Sequence, residues 1–175
     1  ALYNNTSQAN NVAVGYRALT NQTVADQNTA IGADAMYTNT TGEYCTAMGY
    51  MALYNNTTAN NNVAIGYQTL LANTTGIDNT AVGMQALTSI TTGSYCTAIG
   101  ARALMNNTGS GSCAVGEDAL MTATTGTQNI AMGQSAMRLM TTGSYNIAIG
   151  SGANTTNTSF GIAIGGSSYA KGSTI

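Results

Sequence analysis

The chain has no histidine, no proline and no tryptophan, and only 6% of its 175 residues are charged. Without histidine, nucleophilic sites of the Ser-His or Cys-His type are excluded. Typical soluble domains carry about 25% charged residues, so the composition is not that of an ordinary globular domain. A disordered chain is not indicated either, because 43% of the residues are hydrophobic and they are regularly placed.

The few cations give no binding patch for a polyanion. Arg17, Arg102, Arg138 and Lys171 stand singly, and the net charge is −2. A nucleic-acid surface needs clustered cations, and a membrane span needs about 20 consecutive apolar residues, which no segment supplies. We therefore expect neither nucleic-acid binding nor membrane insertion.

One short phrase, Ala-(Val/Ile/Met)-Gly, recurs ten times at intervals of mostly 17 residues, with one interval of 16 and one of 15. Its glycine is called the repeat glycine below. Because alanine and glycine are the smallest residues, these positions are predicted to permit close packing. They are Ala13, Gly15, Ala30, Gly32, Ala47, Gly49, Ala64, Gly66, Ala81, Gly83, Ala98, Gly100, Ala114, Gly116, Ala131, Gly133, Ala148, Gly150, Ala163 and Gly165.

The columns around the repeat glycine predict a β structure. Mostly β-branched residues stand three before it, Ala-Leu or Ala-Met usually follows three and four after it, and five copies contain a Thr-Thr-Gly turn. Each unit thus reads as a strand, a short second extended segment and a polar turn. A unit this short must stack on its neighbours. We predict an all-β, parallel β-solenoid of about ten 17-residue coils over residues 1–175, roughly 50 Å long.

Two asparagine columns carry more specific predictions. The position four before the repeat glycine holds Asn11, Asn28, Asn62, Asn79, Asn129 and Asn146, for which we predict an amide-to-amide ladder; the alternative is that they end turns. A turn column of Asn-x-Ser/Thr sequons contains Asn39, Asn56 and Asn73. Glycans on one edge of the rod are one interpretation, and simple turn formation is the other.

The strand itself is apolar on both faces, as in Val12-Ala13-Val14-Gly15. A 17-residue coil is expected to enclose too little to bury both faces, so several chains are predicted around one axis. Ala and Gly would allow their backbones to approach. We expect an intertwined or side-by-side homotrimer, with a single wide solenoid as the alternative.

Two segments resemble known repeat families. Asn79-Thr80-Ala81-Val82-Gly83 to Ala86-Leu87, followed by Thr91-Thr92-Gly93, resembles repeat shafts of bacteriophage tail fibres. The stretch 161–175 resembles the head repeat of trimeric autotransporter adhesins, whose repeat is shorter, and only residues 150–175 shift toward that length. The resemblance implies a left-handed parallel β-roll, three chains around one axis and a role in adhesion or as a shaft.

No constellation of catalytic or metal-binding residues emerges from the sequence, and no cofactor is expected. The six acids are dispersed, and Glu117-Asp118, the only adjacent pair, would point apart on a strand. Cys45 and Cys96 lie in one column three coils apart, too far for a disulfide. Cys113 stands one column along; the cysteines are either small buried residues or links between chains.

The predicted function is a non-catalytic structural shaft of an extracellular, cell-surface or virion-borne adhesive fibre. Ala1-Leu2 align with Ala18-Leu19, and Ser173-Thr174-Ile175 begins another copy. The array is therefore expected to be uncapped at both ends and part of a longer fibre, or to stack end to end. Any glycan receptor would be bound by a tip outside this segment. The alternatives are a self-stacking extracellular filament with glycan-decorated turns and an ice-binding solenoid.

Overall fold

A computed structural model of the chain describes residues 1–4, 10–155, 157 and 159–170. Ten short strands contain the repeated phrase, one per coil, and two further strands lie near the C-terminal end. The strands are β1 (Val12–Val14), β2 (Thr29–Ile31), β3 (Thr46–Met48), β4 (Val63–Ile65), β5 (Thr80–Val82), β6 (Thr97–Ile99), β7 (Cys113–Val115), β8 (Ile130–Met132), β9 (Ile147–Ile149), β10 (Asn154–Thr155), β11 (Ile162–Ile164) and β12 (Tyr169–Ala170).

The ten repeat strands form one parallel sheet in chain order, from β1 through β9 to β11. Every pairing keeps the same register, so that alanine lies beside alanine in each step, as in Ala81 beside Ala98. The register is also kept across the 16-residue interval, where Thr97 lies beside Cys113. The predicted all-β parallel β-solenoid is confirmed, with nine coil-to-coil pairings. The described residues contain no helix, and so none that could cross a bilayer.

The segments between the strands differ from the prediction. The residues after each repeat glycine form consecutive turns instead of a second extended segment. The turns need left-handed backbone: in eight coils the Leu or Met four after the glycine has φ between 48° and 52°. Among the described residues, a second strand pair, β10 with β12, occurs only where the coils shorten near the C-terminal end. Residues 171–175, which end the adhesin-like stretch, lie outside the described residues.

The hydrophobic core lies inside the single coil. The alanines two before the repeat glycine point inward and are buried from Ala30 to Ala163. They meet the Ala-Leu or Ala-Met pair of the same coil, such as Ala86 and Leu87, both fully buried. The opposite face of the strand stays outside, as at Val14 and Ile99, so the single coil does not bury both faces, as expected. Small residues on the inward face of the strand let a narrow coil close on itself.

The repeat glycines make close contacts within one chain. Gly83 has φ +129°, and a Cβ built on it would lie 2.6 Å from the carbonyl carbon and oxygen of Gly100 in the next coil. Glycine is therefore required twice over, by backbone conformation and by the approach of the next coil. The expectation that Ala and Gly line an axis between chains is wrong, because the alanines face the core and the glycines face the neighbouring coil.

Candidate functional site

The outward face of the ten-stranded sheet carries two columns of uncharged, mostly apolar side chains. The first outer column, three before the repeat glycine, holds Val12, Thr29, Thr46, Val63, Thr80, Thr97, Cys113, Ile130, Ile147 and Ile162. The second outer column, one before it, holds Val14, Ile31, Met48, Ile65, Val82, Ile99, Val115, Met132, Ile149 and Ile164. All of them are half-buried or exposed, and neither column has a charged residue.

Aromatic side chains flank these columns along the coils. Tyr44, Tyr95, Tyr145 and Phe160 stand five before the repeat glycine, and Tyr16, Tyr50 and Tyr67 stand one after it. Tyr50 stacks on Tyr67 with ring centroids 5.6 Å apart, and Tyr145 stacks on Phe160 at 5.2 Å. Because successive coils are in register, the aromatic rings form short stacks along the rod.

Together these four columns define the apolar outer face. Of the 22 large hydrophobic side chains exposed among the described residues, 18 lie in it. They are Tyr44, Tyr95, Tyr145 and Phe160; Val12, Ile130 and Ile162; Val14, Met48, Ile65, Ile99, Met132, Ile149 and Ile164; and Tyr16, Tyr50, Tyr67 and Met84. Charge is confined to its margins, at Asp78 and Glu117. The sequence did not lead us to predict this surface. One signal was present: threonine takes the place of valine or isoleucine in the first outer column, which indicates that this position is in contact with water.

The threonines of the first outer column keep free hydroxyls. Thr29, Thr46, Thr80 and Thr97 make no side-chain hydrogen bond within the described part of the chain. Threonines in the turns behave differently: the Thr57 hydroxyl donates to the Thr74 carbonyl oxygen at 3.1 Å, and Thr74 donates to Thr91 at 3.0 Å. The outer face thus offers unused hydroxyls on an otherwise apolar surface.

The three cysteines lie in two environments. Cys45 and Cys96 are fully inside the coil, and burial raises the pKa of Cys45 to about 11. Cys113 is half-buried in the first outer column, and partial burial raises its pKa as well. All three are free thiols. Cys45 and Cys96 therefore fit the interpretation that the cysteines are small buried residues. Cys113 lies on the outer surface, where another chain could reach it.

The asparagine ladder exists, but not in the predicted form. Asn79 Oδ1 accepts from the backbone N–H of Cys96 at 2.9 Å, and its Nδ2 donates to the Gly93 carbonyl oxygen at 2.9 Å. The same pair of bonds to the backbone recurs in this column at Asn11, Asn28, Asn62 and Asn129. At Asn146, Oδ1 accepts from the backbone N–H of Gly161 at 2.7 Å. The predicted amide-to-amide geometry is seen where Asn146 Nδ2 donates to Asn129 Oδ1 at 3.1 Å. The column therefore ties each coil chiefly to the backbone of the next.

The amide-to-amide ladder instead occupies the column of Asn39, Asn56 and Asn73, for which glycans and turn formation were the two interpretations. Asn56 Nδ2 donates to Asn39 Oδ1 at 2.8 Å, and Asn73 Nδ2 donates to Asn56 Oδ1 at 3.2 Å. All three residues are fully buried. The glycan interpretation does not fit this column, because a glycan on Nδ2 would have no space in this fold. The turn interpretation fits, since Asn39 Nδ2 also donates to the Gly42 carbonyl oxygen at 2.9 Å. The next side chain, Ile90, ends the ladder and leaves Asn73 Oδ1 without a partner.

The three arginines pair with carboxylates of adjacent coils. Arg17 holds Asp34 with two bonds of 2.6 and 2.9 Å, and its guanidinium lies over the ring of Tyr37 at 4.7 Å. Arg102 binds Asp118 at 2.6 Å. This hydrogen bond, together with the positive charge of Arg102, holds the pKa of Asp118 below its usual range, against a smaller opposing effect of burial. These carboxylates act as links between coils.

Comparisons of the chain with protein-family models, with curated proteins and with solved structures find no match. The described residues also contain no group of three or more Cys, Asp or Glu side chains placed to hold a metal ion.

Proposed function

We propose that this chain is a structural segment of the shaft of an adhesive fibre, non-catalytic and located outside the cell or on a virion. The observation that carries the proposal is the unbroken parallel stack, in which ten strands keep one register over nine coil-to-coil steps. At about 4.8 Å per step, the stack extends roughly 43 Å along one axis. A fold of this kind gains length by adding coils without changing its cross-section.

The bonds between coils suit a load-bearing rod. Backbone bonds run along the axis, such as Gly83 N–H to Ile65 oxygen and Gly100 N–H to Val82 oxygen, both 2.8 Å. The asparagine ladder and the arginine–carboxylate pairs add side-chain links in the same direction. A tension along the axis would be shared by several parallel bonds in every coil.

In this proposal the partner of the chain is itself. A homotrimer would bury the apolar outer face, which a monomer would leave in water. Longer fibres would continue by further coils or by end-to-end stacking. Any cell-surface glycan would be bound by a tip beyond residues 1–175.

The fibre role is tested by locating the chain on its native source. Gold-labelled antibodies against the 175-residue chain should decorate thin shafts projecting from particles or cells in electron micrographs. An antibody that binds only soluble cell contents, with no filament labelled, would overturn the proposal.

A second candidate, ice binding, is favoured by one observation. The free hydroxyls of Thr29, Thr46, Thr80 and Thr97 lie on a sheet with about 4.8 Å between coils and about 6.7 Å between the two outer columns. Regular hydroxyls on a flat face could order water. Six of the ten positions in the first outer column are not threonine, so the fibre remains our conclusion. Thermal hysteresis that is lost when Thr80 and Thr97 are changed to Leu would favour ice binding.

A further inference from the structure

We propose that copies of this chain pack through the apolar outer face, parallel and in register, so that each coil lies level with the same coil of its neighbour. The inference rests on the proposed fibre role for the association of copies of this chain. It adds the relative direction and the register of the packed chains, which the fibre role does not specify.

The size of the face identifies it as a contact surface. Its 18 side chains are between 37% and 72% exposed. With whole side-chain areas of about 150–250 Å² for the aromatic residues, they present on the order of 1,500 Å². Apolar patches on monomers reach about 300–600 Å², and a standard interface buries about 800 Å² on each partner. The face therefore has enough area to contact more than one neighbour.

The distribution of charge matches the anatomy of an interface. The two outer columns form an uncharged centre, and the acids Asp78 and Glu117 lie at the two margins. An apolar centre with a polar rim is typical of contacts between proteins. Polyanions and anionic membranes would instead require cations here, and the four columns contain none among the described residues. The occupant that fits this face is another uncharged face, and the chain supplies one.

The free hydroxyls decide between the two directions of packing. In a parallel arrangement with the first outer column at the contact axis, Thr29 and Thr46 lie level with the same residues of the neighbour, and each hydroxyl can pair with its counterpart. In an antiparallel arrangement about the middle of the stack, β5 would face β6, so that Thr80 and Thr97 could still pair, but β2 would face β9 and β3 would face β8. Thr29 would then be buried against Ile147 and Thr46 against Ile130, without hydrogen-bond partners. The parallel register satisfies these hydroxyls.

Cysteine cross-linking tests both the surface and the register. Cys113 already lies in the first outer column, and the variant carrying Cys113→Ser and Val63→Cys moves the thiol to β4. β4 and β7 are three coils apart, about 14 Å, but face each other in the antiparallel arrangement. The two chains, one lengthened by a mass tag, are unfolded together, refolded and treated with a short bifunctional maleimide.

The parallel register predicts cross-links only between identical chains, through Cys113 in the parent and through the thiol on β4 in the variant. Mixed cross-links between tagged and untagged chains would overturn the parallel register. The absence of any cross-link, with a single-chain mass in solution, would overturn self-packing itself. Antibody labelling of fibres remains a separate result, since chains could pack together without forming a shaft on the native source.

A charge on the face tests the surface independently. Ile99 is 43% exposed in the single chain, so Ile99→Asp should leave the circular dichroism of the coil unchanged. Burying an unpaired carboxylate between chains should weaken association by roughly a hundredfold or more. The matched control is Thr92→Asp in an exposed turn, which should associate like the parent chain. Equal association of the Ile99→Asp and Thr92→Asp variants would overturn the assignment of the face.

Discussion

Replacing Gly83 by alanine tests how tightly the coils are stacked. The added Cβ would lie 2.6 Å from the carbonyl carbon and oxygen of Gly100 and 3.0 Å from the nitrogen of Ala101. Carbon atoms prefer separations of about 3.5–4.0 Å. All three atoms belong to the backbone of the next coil, so the contact can be relieved only by separating the coils.

The expected destabilisation has two parts. An alanine at φ +129° is strained by about 1–3 kcal/mol. Separating the coils weakens the bonds on either side, from Gly100 N–H to Val82 oxygen at 2.8 Å and from Arg102 N–H to Met84 oxygen at 2.9 Å. Each contributes about 1 kcal/mol. We therefore expect the free energy of unfolding to fall by about 3–5 kcal/mol.

Alanine substitutions at two other glycines separate the backbone strain from the crowding against the next coil. At Gly165, φ is +115° but a Cβ would meet nothing within 4 Å, so Gly165→Ala should show only the strain. At Gly111, φ is +72° and a Cβ would meet the flexible Gln128 side chain at 3.2 Å. The same column holds ordinary residues with φ near +60° elsewhere. Gly111→Ala should therefore change stability by no more than about 1 kcal/mol.

The measurement is guanidinium unfolding followed by far-ultraviolet circular dichroism, at one chain concentration for all variants because association adds to stability. A loss below about 1 kcal/mol for Gly83→Ala would refute the close stacking. So would an equal loss for Gly83→Ala and Gly165→Ala, because crowding would then contribute nothing.

Three further predictions concern the ladder, the thiols and acid. Asn79→Ala should lower the unfolding free energy by about 2–5 kcal/mol, because two buried backbone groups lose their partners; Asn79→Cys keeps a donor and should lose less, and equal losses would contradict the ladder geometry. In the Ile99→Asp variant, whose copies are expected to separate, a thiol reagent at pH 8 should modify Cys113 but not Cys45, since Cys45 is fully buried with a pKa of about 11; rapid modification of Cys45 would contradict its burial. The hydrogen bond from Arg102 lowers the pKa of Asp118 in the folded state, so its stabilising effect is complete above about pH 4 and is lost as the pH falls through the lowered value. In acid titrations, Asp118→Asn should lose less stability than the parent chain below about pH 4, and an unchanged acid profile would count against the ion pair.

The parallel stack could be predicted from sequence because the period is a direct signal. Ten copies of Ala-(Val/Ile/Met)-Gly at nearly constant spacing leave few ways to arrange the chain. The requirement for glycine also follows, since no other residue tolerates both the conformation and the contact at positions such as Gly83.

The inward side of the strand was harder to predict, because both sides are apolar. Alternation of polar and apolar residues normally marks the buried face, and Thr80-Ala81-Val82 gives only a weak alternation. The size of the side chain determines which face is buried. Alanine fits inside the narrow coil, whereas the larger Val, Ile and Met side chains lie outside. This reversal moved the candidate contact surface from the Ala and Gly positions to the outer columns.

The buried amides were misjudged for a different reason. Asparagine near Thr-Thr-Gly is typical of turns at the surface, so Asn56 gave no sign of burial by itself. Its column did give one, because Ile90, Ala123 and Met140 occupy the same position in other coils and are buried. Apolar residues replacing asparagine in one column indicate an interior position.

The mass of the chain in solution tests the central claim most directly. Sedimentation equilibrium at micromolar concentration should give three times the 17.7 kDa of one chain, because the apolar outer face is buried only when copies pack on it. A single species of 17.7 kDa at the same concentration would contradict the account, since the face would then be stable in water by itself.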